Sequence, residues 1–353
     1  MSNELIFSAG FLLFIALILA LDLGLFSKKE HVVSLKQAAV MSIIMVAMAI
    51  GFYFLLVTEG HQLHGITNFE RLQAIVTKHQ HHIKLIPDDF AQSLSVYRQN
   101  LGLEFLTGYV IEYALSIDNI FVIVLIFSAF AVEEKYYHRV LFWGILGAVI
   151  MRFIFIFVGA ALITKFAWIL YVFGAFLVFT GMRMFFSKEG DDKIDPEKHP
   201  VVKWASKIFA IHPKYEGKKF FVKINAKTMV TPLFLVLLIV EFTDLLFAVD
   251  SIPAIFAVTK DPYIVFFSNI FAIMGLRSMF FLLVNIIHKF HYLKTGLAFL
   301  LTFIGVKMLG HVYLEKWGFT TEHSLIVIVG ILAISILASL IFPKKKDPAK
   351  TEV

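Results

Sequence analysis

Along this chain apolar residues do not alternate with polar ones but run on for twenty positions or more, again and again. The runs are Leu5 to Phe26, Gln37 to Val57, Phe105 to Ala131, Leu141 to Ile163, Phe166 to Phe186, Met229 to Val258, Tyr263 to Ile287, Leu293 to Val312 and His323 to Phe342. A hydrocarbon core about 30 Å thick takes roughly 20 apolar residues as helix, so the pattern predicts nine membrane spans. In lipid each backbone polar group must be paired within its own segment or in a closed barrel. Long runs with little alternation favour helices, and the expected class is an all-α polytopic membrane protein. The first run follows Met-Ser-Asn-Glu, with no basic residue ahead of it. It is too long for a signal-peptide core and reads as a span.

Composition agrees. Of 353 residues 59% are hydrophobic and 16% charged, against roughly 25% charged in soluble domains, and mean hydropathy is +0.81. Cysteine is absent, which excludes disulfides, thiol catalysis, iron–sulfur clusters and thiolate zinc sites; a metal here must be held by oxygen or imidazole. The net charge of +6 is topological in origin. Outside the spans, Lys and Arg favour the side of the C-terminus by three to one, which places the N-terminus outside and Lys344, Lys345 and Lys346 in the cytoplasm. The stretch from Lys188 to Lys227 suits anionic lipid headgroups. Nothing beyond the pI points to nucleic acid.

The runs divide the chain into two N-terminal helices (1–57), an outer loop (58–104), a first group of three helices (105–186), an inner loop (187–228), a second group of three (229–312), and a last helix with a basic tail (313–353). The outer loop carries His61, His64, His79, His81 and His82. Without Cys or a tight His-x3-His pair, a solvated loop is expected in preference to a metal-capturing one. The inner loop opens on Glu189, Asp191, Asp192, Asp195 and Glu197 before turning basic, as a solvated connector does.

The two groups of three are related. Glu112-Tyr-Ala-Leu-Ser-Ile-Asp118-Asn-Ile superimposes without a gap on Asp244-Leu-Leu-Phe-Ala-Val-Asp250-Ser-Ile. Ile150-Met-Arg152-Phe153 then matches Gly275-Leu-Arg277-Ser278, and Thr180-Gly-Met-Arg183-Met184 matches Ile304-Gly-Val-Lys307-Met308. Three landmarks in one order predict a duplicated three-helix unit. The first copy enters from outside and the second from inside, so the repeats are inverted, as in many secondary transporters.

Asp22, Glu112, Asp118, Glu241, Asp244 and Asp250 all fall within spans, where each ionised carboxylate costs about 2.5–3.5 kcal/mol by insertion scales. Arg152 and Arg277 are structural partners for some, and the surplus of negative charge suits a cation path. Counting from the span ends predicts two carboxylate layers about 9 Å apart, Glu112 with Asp250 and Asp118 with Asp244. Asn119 and Ser251 add neutral oxygens on the same helix faces, seven residues after Glu112 and Asp244. Pro253 is expected to break the sixth span and free the carbonyl of Val249. Such oxygen ligands suit manganese, magnesium or calcium rather than copper or zinc, and lithium, sodium or protons use the same atoms. Asp22, near the inner end of span one, reads equally as a further ligand or as an interfacial acid facing Lys28 or Lys29. Arg183 and Lys307 lie near span ends and are expected to snorkel. Ser116 and Ser251 stand near acids, but no histidine lies mid-span, so no enzyme is expected.

Phe105-Leu-Thr-Gly-Tyr-Val-Ile-Glu112 with Ser116-Ile-Asp118-Asn119-Ile-Phe121, and Val240-Glu241-Phe-Thr-Asp244-Leu-Leu-Phe-Ala-Val-Asp250-Ser-Ile-Pro253-Ala-Ile-Phe-Ala-Val-Thr259, closely resemble the two signatures of the TerC/Alx integral membrane family. Leu21-Asp22-Leu23 and Ile169-Leu-Tyr-Val-Phe-Gly-Ala-Phe-Leu177 extend the resemblance over nearly the whole chain. It implies a bacterial inner-membrane protein linked to manganese export, to alkaline pH and to tellurite resistance. The family's acidic residues correspond to Glu112, Asp118, Glu241, Asp244 and Asp250. The expected function is divalent cation transport, with Mn2+ as the transported ion and no prosthetic group; the alternative is a membrane scaffold that delivers metal or assists in stress resistance. The outer loop from Thr58 to Arg98 looks longer and richer in histidine than the family pattern, so no role is carried over to it. Protein partners and oligomeric state do not follow from the sequence.

Overall fold

The computed structural model describes residues 3–22, 34–166, 168–186, 199–224, 227–284 and 292–342. It is helical apart from one two-stranded hairpin. The helices are α1 (Asn3–Asp22), α2 (Leu35–Glu59), α3 (Phe69–His79), α4 (Phe90–Ala129), α5 (Glu134–Lys165), α6 (Ile169–Phe186), α7 (Pro200–Ile208), α8 (Pro232–Phe256), α9 (Pro262–Leu283), α10 (Leu293–Leu309), α11 (His311–Lys316) and α12 (Thr321–Ile341). Each of the nine apolar runs contains a helix among the described residues, although the sixth begins in a β-strand. Among the described residues, seven helices are long and apolar enough to cross a membrane: α2, α4, α5, α6, α8, α9 and α12. The first run yields α1, described as far as Asp22. The eighth yields α10, a helix of 17 residues that stops at Gly310, at the short end of what spans a bilayer.

The centre of the molecule is α9, which is buried along its whole apolar length. A helix that is hydrophobic all round belongs in a core. Helices α2, α4 and α5 pack around it. Phe11 of α1 lies against Phe267 of α9 with ring centroids 4.4 Å apart, and Phe52 of α2 against Phe271 at 4.9 Å. Helix α6 packs closely on α10. A Cβ added to Gly305 would lie 2.7 Å from the carbonyl oxygen of Gly174 and from the amide of Val178, and one added to Gly181 would meet the Ala298 carbonyl at 2.8 Å. Small residues let the two backbones touch, the usual device of helix pairs in lipid, where apolar side chains gain nothing by leaving the solvent.

The outer loop is not solvated. It holds a short 3-10 turn (Gly60–Gln62), α3 and the first turns of the 40-residue α4. Asn68 caps α3 and Asp89 caps α4, each accepting a backbone N–H three residues on. Leu63, Ile66, Leu72, Ile75, Tyr97 and Leu101 join the main core. The sequence reading missed this because α3 is short and amphipathic and the start of α4 is polar, so neither raises the hydropathy. Between α6 and α8, α7 and the hairpin β1 (Phe221–Ile224) with β2 (Lys227–Val230) dock against the start of α8, where the Tyr215 hydroxyl donates to the Phe130 carbonyl at 2.7 Å. The acidic start of the inner loop, Glu189 to Glu197, lies outside the described residues.

The expected break at Pro253 is not there. Helix α8 runs unbroken through it to Phe256. Pro253 lies within the final turn, so its missing N–H costs one hydrogen bond, to the Val249 carbonyl, and there is little helix beyond it to bend.

Candidate functional site

Arg152, on α5, is fully buried and is the hub of the intramembrane site. Its Nη1 donates to Glu112 of α4 and, at 2.7 Å, to Asn269 Oδ1 of α9. Its Nη2 donates to Asp244 Oδ1 of α8 at 3.1 Å. Asn269 turns its Nδ2 to Glu112 Oε2 at 3.0 Å. Four helices therefore converge on one guanidinium, whose planar fork serves several acceptors at once. Beside it lies a cavity of about 30 Å³ bounded by Asn119, Thr243, Asp244 and apolar side chains, room for a water or a partly dehydrated cation.

This geometry overturns the expected layers. Glu112 and Asp244, which stand at equivalent repeat positions, come together on Arg152. Two carboxylates kept from water share a site when a cation stands between them or one takes up a proton; here the guanidinium of Arg152 stands between them, and that outweighs a depth count made from span ends. The count was also misled by α4, which begins at Phe90 and not at Phe105. Asp250 instead accepts from Thr180 Oγ1 of α6 at 3.3 Å. Glu241 extends across α8 toward α5, where a Cβ on Gly147 would overlap its carboxylate. Ser251 and Ser116 are buried, and neither hydroxyl has a hydrogen-bond partner. Asn119 shares the cavity with Asp244. Arg277, the counterpart of Arg152, is buried on α9. The side chains of Asp118 and Asp22 lie outside the described residues. Arg183 is exposed at the end of α6, as snorkelling requires, whereas Lys307 is half-buried in a second cavity with Gln80, His82 and Thr259 at the outer end. Asn269, Thr180 and Gly147 escaped the sequence reading. Asn269, an amide beside Ser268 in the middle of an otherwise apolar stretch, carried the one signal that could have found it.

A second polar cluster lies where the loop 58–104 meets the start of α9. His64 Nε2 meets Asp261 Oδ2 at 2.8 Å and its Nδ1 meets Glu4 Oε1 at 3.1 Å. His81 Nδ1 meets Glu104 Oε1 at 2.9 Å, while Thr259 donates to Glu104 Oε2 at 2.6 Å. His79 lies between them, its ring 5.0 Å from that of His64 and 6.0 Å from that of His81. Burial opposes charge on His64, yet the carboxylates on its two nitrogens hold it above the ordinary imidazole range. Burial pushes His79 down, against the pull of Asp261. Burial alone would raise Asp261, but the surrounding imidazoles hold it well below the usual carboxylate range.

Residues 97–347 match the model of the integral membrane protein TerC family. The chain is 44% identical over 333 residues to "Uncharacterized membrane protein STKORF319" of Myxococcus xanthus, covering 94% of this chain and 91% of that one. It is 40% identical over 344 residues to "Putative membrane-bound redox modulator Alx" of Salmonella typhi (96% and 95%), and 40% identical over 334 to the protein of that name in Escherichia coli K12 (93% and 92%). No solved structure matches it. With a family match over most of its length and Alx relatives that it covers nearly end to end, the chain belongs to the TerC family of integral membrane proteins.

Proposed function

We propose that the protein is a divalent cation transporter that exports manganese across the bacterial inner membrane, along a path lined by the carboxylates of α4 and α8. The observation that carries this reading is the gathering of four carboxylates, Glu112, Glu241, Asp244 and Asp250, on the two packed helices α4 and α8. Arg152 answers Glu112 and Asp244, while Glu241 and Asp250 reach toward α5 and α6. Oxygen donors in that number suit a hard cation such as manganese. The relatives' name speaks of redox modulation; this chain has no cysteine, so in it such an effect would run through the cation moved and not through thiols.

Nine spans, α1, α2, α4, α5, α6, α8, α9, α10 and α12, place the N-terminus outside and the C-terminus in the cytoplasm, with α7 and the hairpin inside. Helices α8 to α10 repeat α4 to α6 in inverted form. Packing supports this: α4 lies against α9 and α5 against α8, pairs that an inverted repeat would exchange, and α6 lies against its own counterpart α10.

In inverted membrane vesicles or proteoliposomes, the wild type is expected to move Mn2+, and Asp118→Asn or Asp250→Asn to abolish movement while still inserting. If wild type and Asp118→Asn behave alike, the transport reading fails. Gly147→Ala supplies a second test. Only the flexible end of Glu241 need give way to the added methyl, so the thermal midpoint should change little and Mn2+ flux should fall to the level of Glu241→Gln.

A further inference from the structure

We propose that His64, His79 and Asp261 form a binding site for a borderline divalent transition cation of the zinc or cobalt type at the outer face, separate from the carboxylates in the membrane. One ligand atom from each lies within 4.8 Å of the others, close enough for a single ion to reach all three with small side-chain shifts. The three residues are 1%, 5% and 0% exposed, so their polar atoms have little water to turn to.

The surroundings are those of a built site. Arg71 donates twice to the His64 carbonyl, at 3.3 and 3.1 Å, and fixes the turn that presents the ring. Asp261 caps α9, its Oδ1 accepting the Tyr263 amide at 3.0 Å, which leaves Oδ2 turned to the histidines. His79 ends α3, held there by Gln80 in a left-handed conformation with φ 51°. Its Nε2 is buried and has no hydrogen-bond partner, an arrangement that is unfavourable unless something else meets that atom. Glu4 on the far nitrogen of His64 is the carboxylate that commonly orients a metal-bound imidazole. His81 Nε2 is also buried without a hydrogen bond, and its ring lies next to that of His79, tilted by 49°.

Two imidazoles and one carboxylate select imidazole-preferring cations over magnesium or calcium. Three protein ligands leave a coordination position open, as in exchangeable sites and unlike sealed structural ones. The donors come from three segments: the turn after α2, the end of α3 and the start of α9. A bound ion would tie the outer domain to the central helix. This inference stands apart from the export reading, because its donors are nitrogen-rich and lie outside the spans.

The test is Co2+ binding to the purified full chain in detergent after chelator stripping, read by equilibrium dialysis and by visible absorption. One equivalent is expected in the wild type and in Glu241→Gln/Asp250→Asn, which removes intramembrane donors. His79→Gln and Asp261→Asn should bind at least about tenfold more weakly, while His82→Gln, at an exposed neighbouring position, should bind as the wild type does. Unaltered binding by folded His79→Gln overturns the proposal, as does a wild type whose bound Co2+ vanishes entirely in the intramembrane double variant. Should His79→Gln not fold, X-ray absorption at the cobalt edge of the wild type decides. Scattering from two imidazoles supports the site, and a shell of oxygens alone overturns it. Mn2+ flux measured on the same variants reports on the export reading separately.

Discussion

Replacing Arg152 with methionine is expected to be among the most damaging single changes in this protein. It leaves Glu112 and Asp244 buried and facing each other with no cation between them, and leaves Asn269 without its donor. Removing one member of a buried ion pair costs about 3–5 kcal/mol, because the orphaned charge cannot be resolvated. The result should be a low yield of folded protein and a thermal midpoint in detergent well below that of the wild type. Adding Glu112→Gln and Asp244→Asn to Arg152→Met should restore much of the loss, since neutral groups carry no such penalty. Effects in one network are strongly non-additive, and the rescue measures that coupling directly. Arg152→Met as stable as the wild type, or a triple variant no better than the single, would refute the hub.

Gly305→Val should separate two helices. The added Cβ meets the backbone of α6 at 2.7 Å, both at the Gly174 carbonyl and at the Val178 amide, and backbone atoms cannot rotate away as a side chain can. Overpacking of this kind costs about 1–3 kcal/mol, occasionally more. The control is Gly330→Val on α12, where an added Cβ meets nothing within 4 Å and stability should hold. Equal midpoints for the two variants would mean that α6 and α10 are not in backbone contact.

The helices were legible because lipid leaves an apolar run almost no other way to pair its backbone. Asp244, Glu112 and Arg152 were legible as well, since charge in such a run is conspicuous. Who pairs with whom was not. Arg152 gathers residues from α4, α8 and α9, and the depth count that pairs Glu112 with Asp250 treats helices as parallel rods with known ends, although α4 starts fifteen residues earlier than hydropathy places it. The outer cluster was least legible. His64 and Asp261 lie 197 positions apart, and neither the amphipathic α3 nor the polar start of α4 announces that it folds over the membrane helices.

Helices α4 and α9 are fastened at two heights. Just before α9 begins, Thr259 donates to Glu104 and its hydroxyl accepts the amide of Asp261 at 3.2 Å; eight residues further along α4, Glu112 holds Asn269. The two rungs are about 12 Å apart along the axis. A ladder with matched rungs resists sliding, because a shift of one helix along the other must break both at once. Any movement that separates α4 from α9 must therefore break both rungs, and the Arg152 hub fastens α5 and α8 to the same pair.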